Sequence, residues 1–308
     1  MGLNVCVFAG QGAQYPGMGK DFSEADSEIK DLFLRANEVL GLDLAKLCYE
    51  GPAEELTRSD ICQPAIFVTS VAAYRAFQKK CPDVKFAMAA GLSLGEWTAL
   101  YAAGVLGFEE TVKVLRARGT FMQEACDATP SGMVSVMGAT PEQLDEICAS
   151  CGVYKSNLNS AQQVVLSGTK ENVAKAEQAA IAMKLRAIVL KVAGAFHSPI
   201  MQPAREKLAT VIADVAFNKP AIPVLANATG KLHADDPETI KATMLQQVTD
   251  SVHWCDDVTE AIRAGADTFI EFGPGKVLSG LIRRIDKGVK TLNVQDADTL
   301  ENTVKGLE

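Results

Sequence analysis

The sequence predicts an α/β protein: one large unit built on a mostly parallel sheet, interrupted by a smaller insert. Three observations predict it. The N-terminal part alternates short apolar strands with helical stretches, the middle follows a different strand–helix order, and the first pattern then resumes. Strand, turn and helix in that order favour parallel strands covered on both faces.

The elements follow in chain order. NVCVFAG reads as a strand running into a glycine-rich turn, and residues 27–49 and 63–79 carry apolar residues at helical spacing. VKFAMAAGLSLGEWTALYAAGVL reads as a short strand, a sharp turn at Gly91–Gly95, and a helix dense in alanine. In the middle, GMVSVMGA is a strand, PEQLDEICAS a helix, VYKSNLNS and QQVVLSG strands, ENVAKAEQAAIAMK a helix and RAIVLKVAGA a strand. That β-α-β-β-α-β order is ferredoxin-like. It predicts a compact insert over residues 128–194, with residues 1–127 and 195–308 forming the large unit. Afterwards IPVLANATG and DTFIEFGPG read as strands and residues 276–288 as a helix; no internal repeat or low-complexity run appears.

Composition removes several classes of function. A chain of 308 residues, 48% hydrophobic and 22% charged, can bury a substantial core and is too ordered for a disordered protein. No apolar run reaches the roughly 20 residues needed to span a bilayer. The start has neither a basic n-region nor a cleavage site, so no signal or transit segment is expected in this chain. A net charge of −8 disfavours nucleic acid and anionic membranes as partners. The eight cysteines are scattered, which reads as reduced thiols. Cys148 and Cys151 have CxxC spacing, but no second pair or nearby histidine completes a zinc set. They read as two helix-end thiols.

The chemistry concentrates at Gly91-Leu92-Ser93-Leu94-Gly95, a G-x-S-x-G between strand and helix. A serine on so tight a turn needs small neighbours, so that its hydroxyl projects free of the backbone. The next helix puts its N-terminus beneath the serine, and the backbone N–H of Leu94 is a natural oxyanion donor. The bland alternative, a glycine-flanked loop serine, is weakened by that context. A strand, serine turn and helix make the large unit α/β-hydrolase-like.

A serine nucleophile needs a base, and histidine suits neutral pH. Only three are present. His233, in polar KLHADDPE, reads as part of a solvated loop. His253, beside Trp254, reads as a packing or helix-cap residue. His197 follows an apolar strand in VAGAFHSP; alone it is as easily structural, but beside Ser93 it is the best available base. No acidic residue precedes it at a suitable strand end, as a hydrolase triad requires. A serine–histidine dyad, with the imidazole held by a backbone carbonyl or an amide, fits better.

These residues carry a family resemblance. The chain resembles the malonyl-CoA:acyl-carrier-protein transacylases, and the acyltransferase domains of polyketide and fatty-acid synthases, over nearly its whole length. The matching blocks are FAGQGAQYPGMG at 8–19, GPAEELTRSDICQPAIF at 51–67, GLSLGEWTAL at 91–100, RGTFMQEA at 118–125, NSAQQVVLSG at 159–168, GAFHSPIM at 194–201 and EFGPGKVLSGLIRRI at 271–285. The resemblance implies Ser93 as nucleophile, His197 as base, and the N–H groups of Gln11 and Leu94 as the oxyanion hole. It implies that Arg118 clamps the malonyl carboxylate, that the carbonyl of Gln247 orients His197, and that Gln63 and Asn159 line the acyl pocket. An unpaired buried carboxylate is costly, and a guanidinium fork matches it. Arg116, two residues away, should face elsewhere.

Phe196 stands where malonyl-selective members carry phenylalanine, which implies malonyl over methylmalonyl by about 1–3 kcal/mol. Leu92 departs from the histidine of many bacterial members and is similar to plastid and some polyketide versions. It leaves His197 as the only histidine expected near the nucleophile, and the compartment as plastid stroma or cytoplasm. The implied reaction is ping-pong transfer from malonyl-CoA to acyl carrier protein through a malonyl-serine, by a monomer, with no metal or redox cofactor. Because the carrier is expected to be acidic, a local basic patch should receive it: Arg283, Arg284 and Lys287, with Lys184 and Arg186. The alternative for that patch is a solvated helix face. Rival functions are a serine esterase or thioesterase with the same turn, and a non-catalytic scaffold.

Overall fold

The computed structural model describes residues 2–307. Two strands open the large unit, β1 (Leu3–Phe8) and β2 (Phe86–Gly91), paired in parallel. Four strands of the insert follow: β3 (Ser131–Met137), β4 (Tyr154–Ser160), β5 (Gln163–Thr169) and β6 (Arg186–Val189). β7 (Leu225–Ala226) and β8 (Lys231–Leu232) form a small hairpin. The large sheet is completed by β9 (Ala266–Phe272) and β10 (Lys290–Val294), giving the order β10-β9-β1-β2 with every pairing parallel.

β1 lies inside this sheet and feeds two cores. Val5 and Val7 enter one core and Cys6 and Phe8 the other, as alternate side chains of a strand must. Continuous apolar sequence in NVCVF reflects burial on both faces.

The insert is an antiparallel sheet in the order β4-β5-β3-β6. Helices Pro141–Cys151 and Lys170–Ala182 cover one face, where Val134, Val136, Ile147, Leu166, Val173 and Ala176 form a separate core. Met133 and Val165, on the other face, join the core of the large unit. The edge strand is also stitched to that unit: Leu158 N donates to Val252 O at 2.8 Å, and Val252 N to Ser156 O at 2.8 Å.

Several expected elements shift. The helical stretch at 27–49 splits into Ser27–Leu40 and Leu44–Glu50, because Gly41 takes a left-handed conformation (φ 62°) that ends the first helix. The strand expected in IPVLANATG shrinks to the two residues of β7, plus a single bridge from Val224 to Ala89. RAIVLKVAGA is extended only over Arg186–Val189. Cys148 and Cys151 fall in the last turn of their helix, and burial pushes the Cys148 thiol up. Among the described residues no helix is long and apolar enough to cross a membrane.

Two helices set the floor of the site. Ser59–Lys80 and Phe108–Ala128 pack so closely at Gly119 that a Cβ there would lie 2.2 Å from the Ser59 carbonyl oxygen. Pro64, inside the first helix, cannot bond the Asp60 carbonyl. The guanidinium of Arg116 takes that oxygen at 2.9 Å, together with the Asp60 carboxylate at 2.9 Å. Arg116 is thereby turned away and Arg118, on the next part of the turn, points inward.

Candidate active site

Ser93 sits between β2 and helix Leu94–Ala102 with φ 56° and ψ −103°, a strained conformation for a residue with a side chain. The flanking glycines permit it. A Cβ on Gly91 would lie 2.0 Å from the Gly95 carbonyl carbon, and one on Gly95 would lie 2.2 Å from the Phe8 carbonyl oxygen. The turn therefore packs backbone to backbone against β1. Asn227 clamps it from both sides: Ser93 N donates to Asn227 Oδ1 at 2.6 Å, and Asn227 Nδ2 donates to Gly91 O at 2.9 Å.

His197 reaches Ser93, with Nε2 2.8 Å from Oγ. Its Nδ1 lies 2.7 Å from the carbonyl oxygen of Gln247. A carbonyl only accepts, so Nδ1 carries the proton and Nε2 is free to take the one on the serine. His197 does not leave a strand of the parallel sheet, as its sequence context suggests. β6 belongs to the insert and ends at Val189; His197 lies beyond it in the return segment, with φ 56°. Ser131 Oγ accepts from Ala195 N at 3.1 Å and Ser198 Oγ donates to Ala195 O at 2.7 Å, fixing that segment. Burial, and then the nearby Arg118 cation, lower the His197 pKa to about 4.

Arg118 is 1% exposed. It donates from Nη1 to Gln63 Oε1 at 2.7 Å, and from Nη2 to Ser93 Oγ at 3.1 Å and Gln247 Oε1 at 3.0 Å. Its Nε has no partner among the described residues. Burial lowers its pKa to about 10, opposed by the charge of Glu96, so it stays a cation at neutral pH. A buried guanidinium beside a nucleophile, with donor capacity left over, suits an anionic acyl tail.

The remaining expected residues divide. Gln11 and Gln63 join the site, with Gln63 Nε2 3.4 Å from Gln11 Oε1. Gly10 lets the Gln11 loop lie against the serine turn, since a Cβ there would be 2.6 Å from Leu92 O. Among the described residues neither the Gln11 nor the Leu94 backbone N–H has a hydrogen-bond acceptor, as an oxyanion hole requires. Phe196 is buried in the main core beside His197. Asn159 bonds to none of these residues. It occupies a bulge of β4, where the pairing to β5 passes from Leu158 to Ser160, and its Oδ1 is buried without a partner among the described residues.

The basic residues are all exposed but not equivalent. Arg283 Nε is tied to Thr291 Oγ1 on β10 at 2.5 Å. Arg284 Nη1 instead reaches Gln163 Oε1 on the insert at 3.2 Å. Gln163 and Arg186 both pair with Met137, so they share one row and one face, about 10 Å apart across β3. Arg284 and Arg186 therefore border the same end of the insert, with Lys184 and Lys287 near them in sequence.

One expectation about histidine is overturned. His233 is not in a solvated loop: its side chain is 0% exposed and its Nε2 lies 2.6 Å from Glu96 Oε1. Its polar neighbours stay at the surface while the ring turns inward. Glu96 Oε2 also accepts from Gln247 Nε2 at 2.6 Å, so His233 reaches the site through Glu96, while His197 is the histidine bonded to Ser93. His253 lies at the start of helix Trp254–Arg263, its ring against Asp256. Glu96 and Asn227 escaped the sequence reading, as did Asp257, whose Oδ2 accepts from Asn227 Nδ2 at 2.8 Å. One signal was available: Glu96 is a lone carboxylate in the first turn of an otherwise apolar helix.

Comparisons with known proteins give the family. The profile described as Acyl transferase domain matches residues 5–304. The chain is 38% identical over 310 residues to the Malonyl CoA-acyl carrier protein transacylase of Bacillus subtilis (strain 168), covering 98% of this chain and 96% of that one. The chain belongs to the malonyl CoA-acyl carrier protein transacylases. The solved transacylase of Clostridium perfringens superposes with a TM-score of 0.95 at 40% identity, covering 99% of this chain and 97% of that one. A malonyl-transacylase solved in complex with a type II PKS acyl-carrier protein superposes with a TM-score of 0.94 at 35% identity, covering 99% of both. The transacylase fold thus accounts for both sheets, the parallel one and the antiparallel insert.

Proposed function

We propose that this protein moves a malonyl group from malonyl-CoA to the pantetheine thiol of an acyl carrier protein, for fatty-acid or polyketide synthesis. The observation that carries this reading is the buried Arg118 guanidinium, 3.1 Å from Ser93 Oγ. An acyl group on that oxygen must end in an acceptor within a few atoms, and malonyl, with one methylene between carbonyl and carboxylate, meets that need. The names of the relatives, and the carrier protein bound to one of them, support it.

Ser93 gives its proton to His197 Nε2 as Oγ attacks the thioester carbonyl. The Gln11 and Leu94 N–H groups hold the oxyanion, each worth about 2.7–4 kcal/mol. The tetrahedral intermediate collapses, the C–S bond breaks, and His197 returns the proton to the CoA sulfur. The malonyl-serine is then attacked by the carrier thiol in the reverse sense. Gln63 holds Arg118, while Phe196 and Asn159 bound the acyl pocket. No step calls for a metal or redox cofactor, and the protein works as a monomer in plastid stroma or cytoplasm. The carrier docks near Arg284, Arg186, Lys184 and Lys287. The large unit is α/β-hydrolase-like only in its serine turn, and residues 128–194 form a ferredoxin-like subdomain.

Two measurements test this. Intact-mass analysis of protein with malonyl-CoA should show one malonyl adduct that carrier protein discharges; no adduct, or discharge to water alone, defeats the reading. The pH profile gives the second. His197 acts as a neutral base with its pKa lowered to about 4, so kcat/KM should stay level as pH falls and drop only near that value. Bound malonyl offsets the Arg118 charge, one cause of that lowering, so the acid limb of kcat should lie at higher pH than that of kcat/KM. Coincident limbs would contradict this account of the base.

A further inference from the structure

Gln247 is the hub of the site. It is fully buried at the end of helix Pro237–Gln246 and contacts His197, Arg118 and Ser93, each through a different atom. Its carbonyl oxygen takes the His197 proton donor at 2.7 Å, its side-chain oxygen takes Arg118 Nη2 at 3.0 Å, and its side-chain nitrogen donates to Ser93 O at 2.8 Å. The same nitrogen donates to Glu96 Oε2 at 2.6 Å. A primary amide can face either way, and only its surroundings decide which. Arg118 can only donate, and the Glu96 carboxylate opposite it accepts. That pairing forces oxygen toward Arg118 and nitrogen toward Glu96.

Glu96 is itself held. His233 Nε2 lies 2.6 Å from Oε1, and Asn227 N donates to Oε2 at 3.2 Å. Both side chains of the Glu96–His233 pair are 0% exposed, and neither touches Ser93, His197 or Arg118 by a hydrogen bond. Burying a carboxylate is costly, and the nearby Arg118 cation offsets part of that cost, so Glu96 belongs to the electrostatics of the site.

We propose that Glu96 and His233 are positioning residues of the transfer site: they fix which way the Gln247 amide faces, and through it the placement of both His197 and Arg118. This deepens the reading as a malonyl transferase and rests on it. Glu96 points the amide, and the His233 N–H keeps the carboxylate from turning out of line. Since Gln247 serves the base through its backbone and the acyl clamp through its side chain, one misplaced amide disturbs the rate and the acyl preference together.

The test compares Glu96→Gln, His233→Leu and His233→Gln with the unaltered protein, by melting temperature, kcat and KM for malonyl transfer, and the ratio of malonyl to acetyl transfer. Glu96→Gln replaces a fixed acceptor by an amide and leaves the Gln247 orientation to Arg118 and the Ser93 carbonyl alone. It should lower kcat about 10- to 100-fold with KM for malonyl-CoA within about threefold, and lower the malonyl-to-acetyl ratio about tenfold or more. His233→Leu should show the same pattern at about tenfold, and His233→Gln, which keeps an N–H donor, should restore most of the loss. If a folded Glu96→Gln or His233→Leu keeps both rate and ratio, the proposal is overturned. It is equally overturned if His233→Gln is as impaired as His233→Leu, because the ring then serves packing alone. Should Glu96→Gln not fold, the two His233 variants decide. Adduct formation by the unaltered protein separates this failure from failure of the functional reading.

Discussion

Ser93→Ala and His197→Ala should each lower malonyl transfer by about 10⁴- to 10⁶-fold, and the double variant should be no worse than either. The physical reason is that the two side chains act through a single proton. Oγ and Nε2 are 2.8 Å apart, and the other partner of Oγ, Arg118, only donates, so among the described residues His197 is the group in line to take the serine proton. Without the base the hydroxyl attacks as a neutral alcohol; without the hydroxyl the base has nothing to activate. Single-turnover acylation by malonyl-CoA, followed by intact mass, measures this. Additive losses in the double variant, or acylation by His197→Ala within about tenfold of the unaltered rate, would sink the dyad.

Arg118→Ala should cut kcat/KM for malonyl-CoA by about 10²- to 10³-fold while acetyl transfer falls far less, so that the acyl preference inverts. Removing the cation leaves a malonyl carboxylate buried without a partner, which costs about 3–5 kcal/mol. An acetyl group carries no such charge. Arg118→Lys should fall between, because an ammonium keeps the charge but cannot hold Gln63, Ser93 and Gln247 in one plane as the fork does. Glu96 also loses its counter-charge, so melting temperature should drop in Arg118→Ala; the malonyl-to-acetyl ratio is insensitive to that loss. Equal reductions for both acyl groups would mean that Arg118 serves architecture rather than recognition.

The parts of this site that were legible in the sequence are those with local cause. Gly91 and Gly95 announce the serine turn because no side chain fits where their backbones meet, and the helix that follows is visible from its alanine content. The order of elements in the insert was readable for the same reason. What stayed hidden depends on distant pairing. Asn227 clamps a residue 134 positions away, and from the sequence alone it sits unremarked in a run read as a strand. His233 looked solvated because its neighbours are charged, and local composition says nothing about a ring that turns inward while its backbone stays outside. Gln247 and Arg118 were reached through family resemblance. Spacing alone would not distinguish Arg118 from Arg116, and it is Pro64, on another helix, that frees the carbonyl holding Arg116 aside.

The stitch between the insert's edge strand and Val252 gives the protein a mechanical property. Val252 follows Gln247 after only one short turn, and Ser251 Oγ adds a further tie to Lys155 O at 2.7 Å. Any rocking of the smaller unit against the larger must therefore tug on the peptide whose oxygen anchors the imidazole.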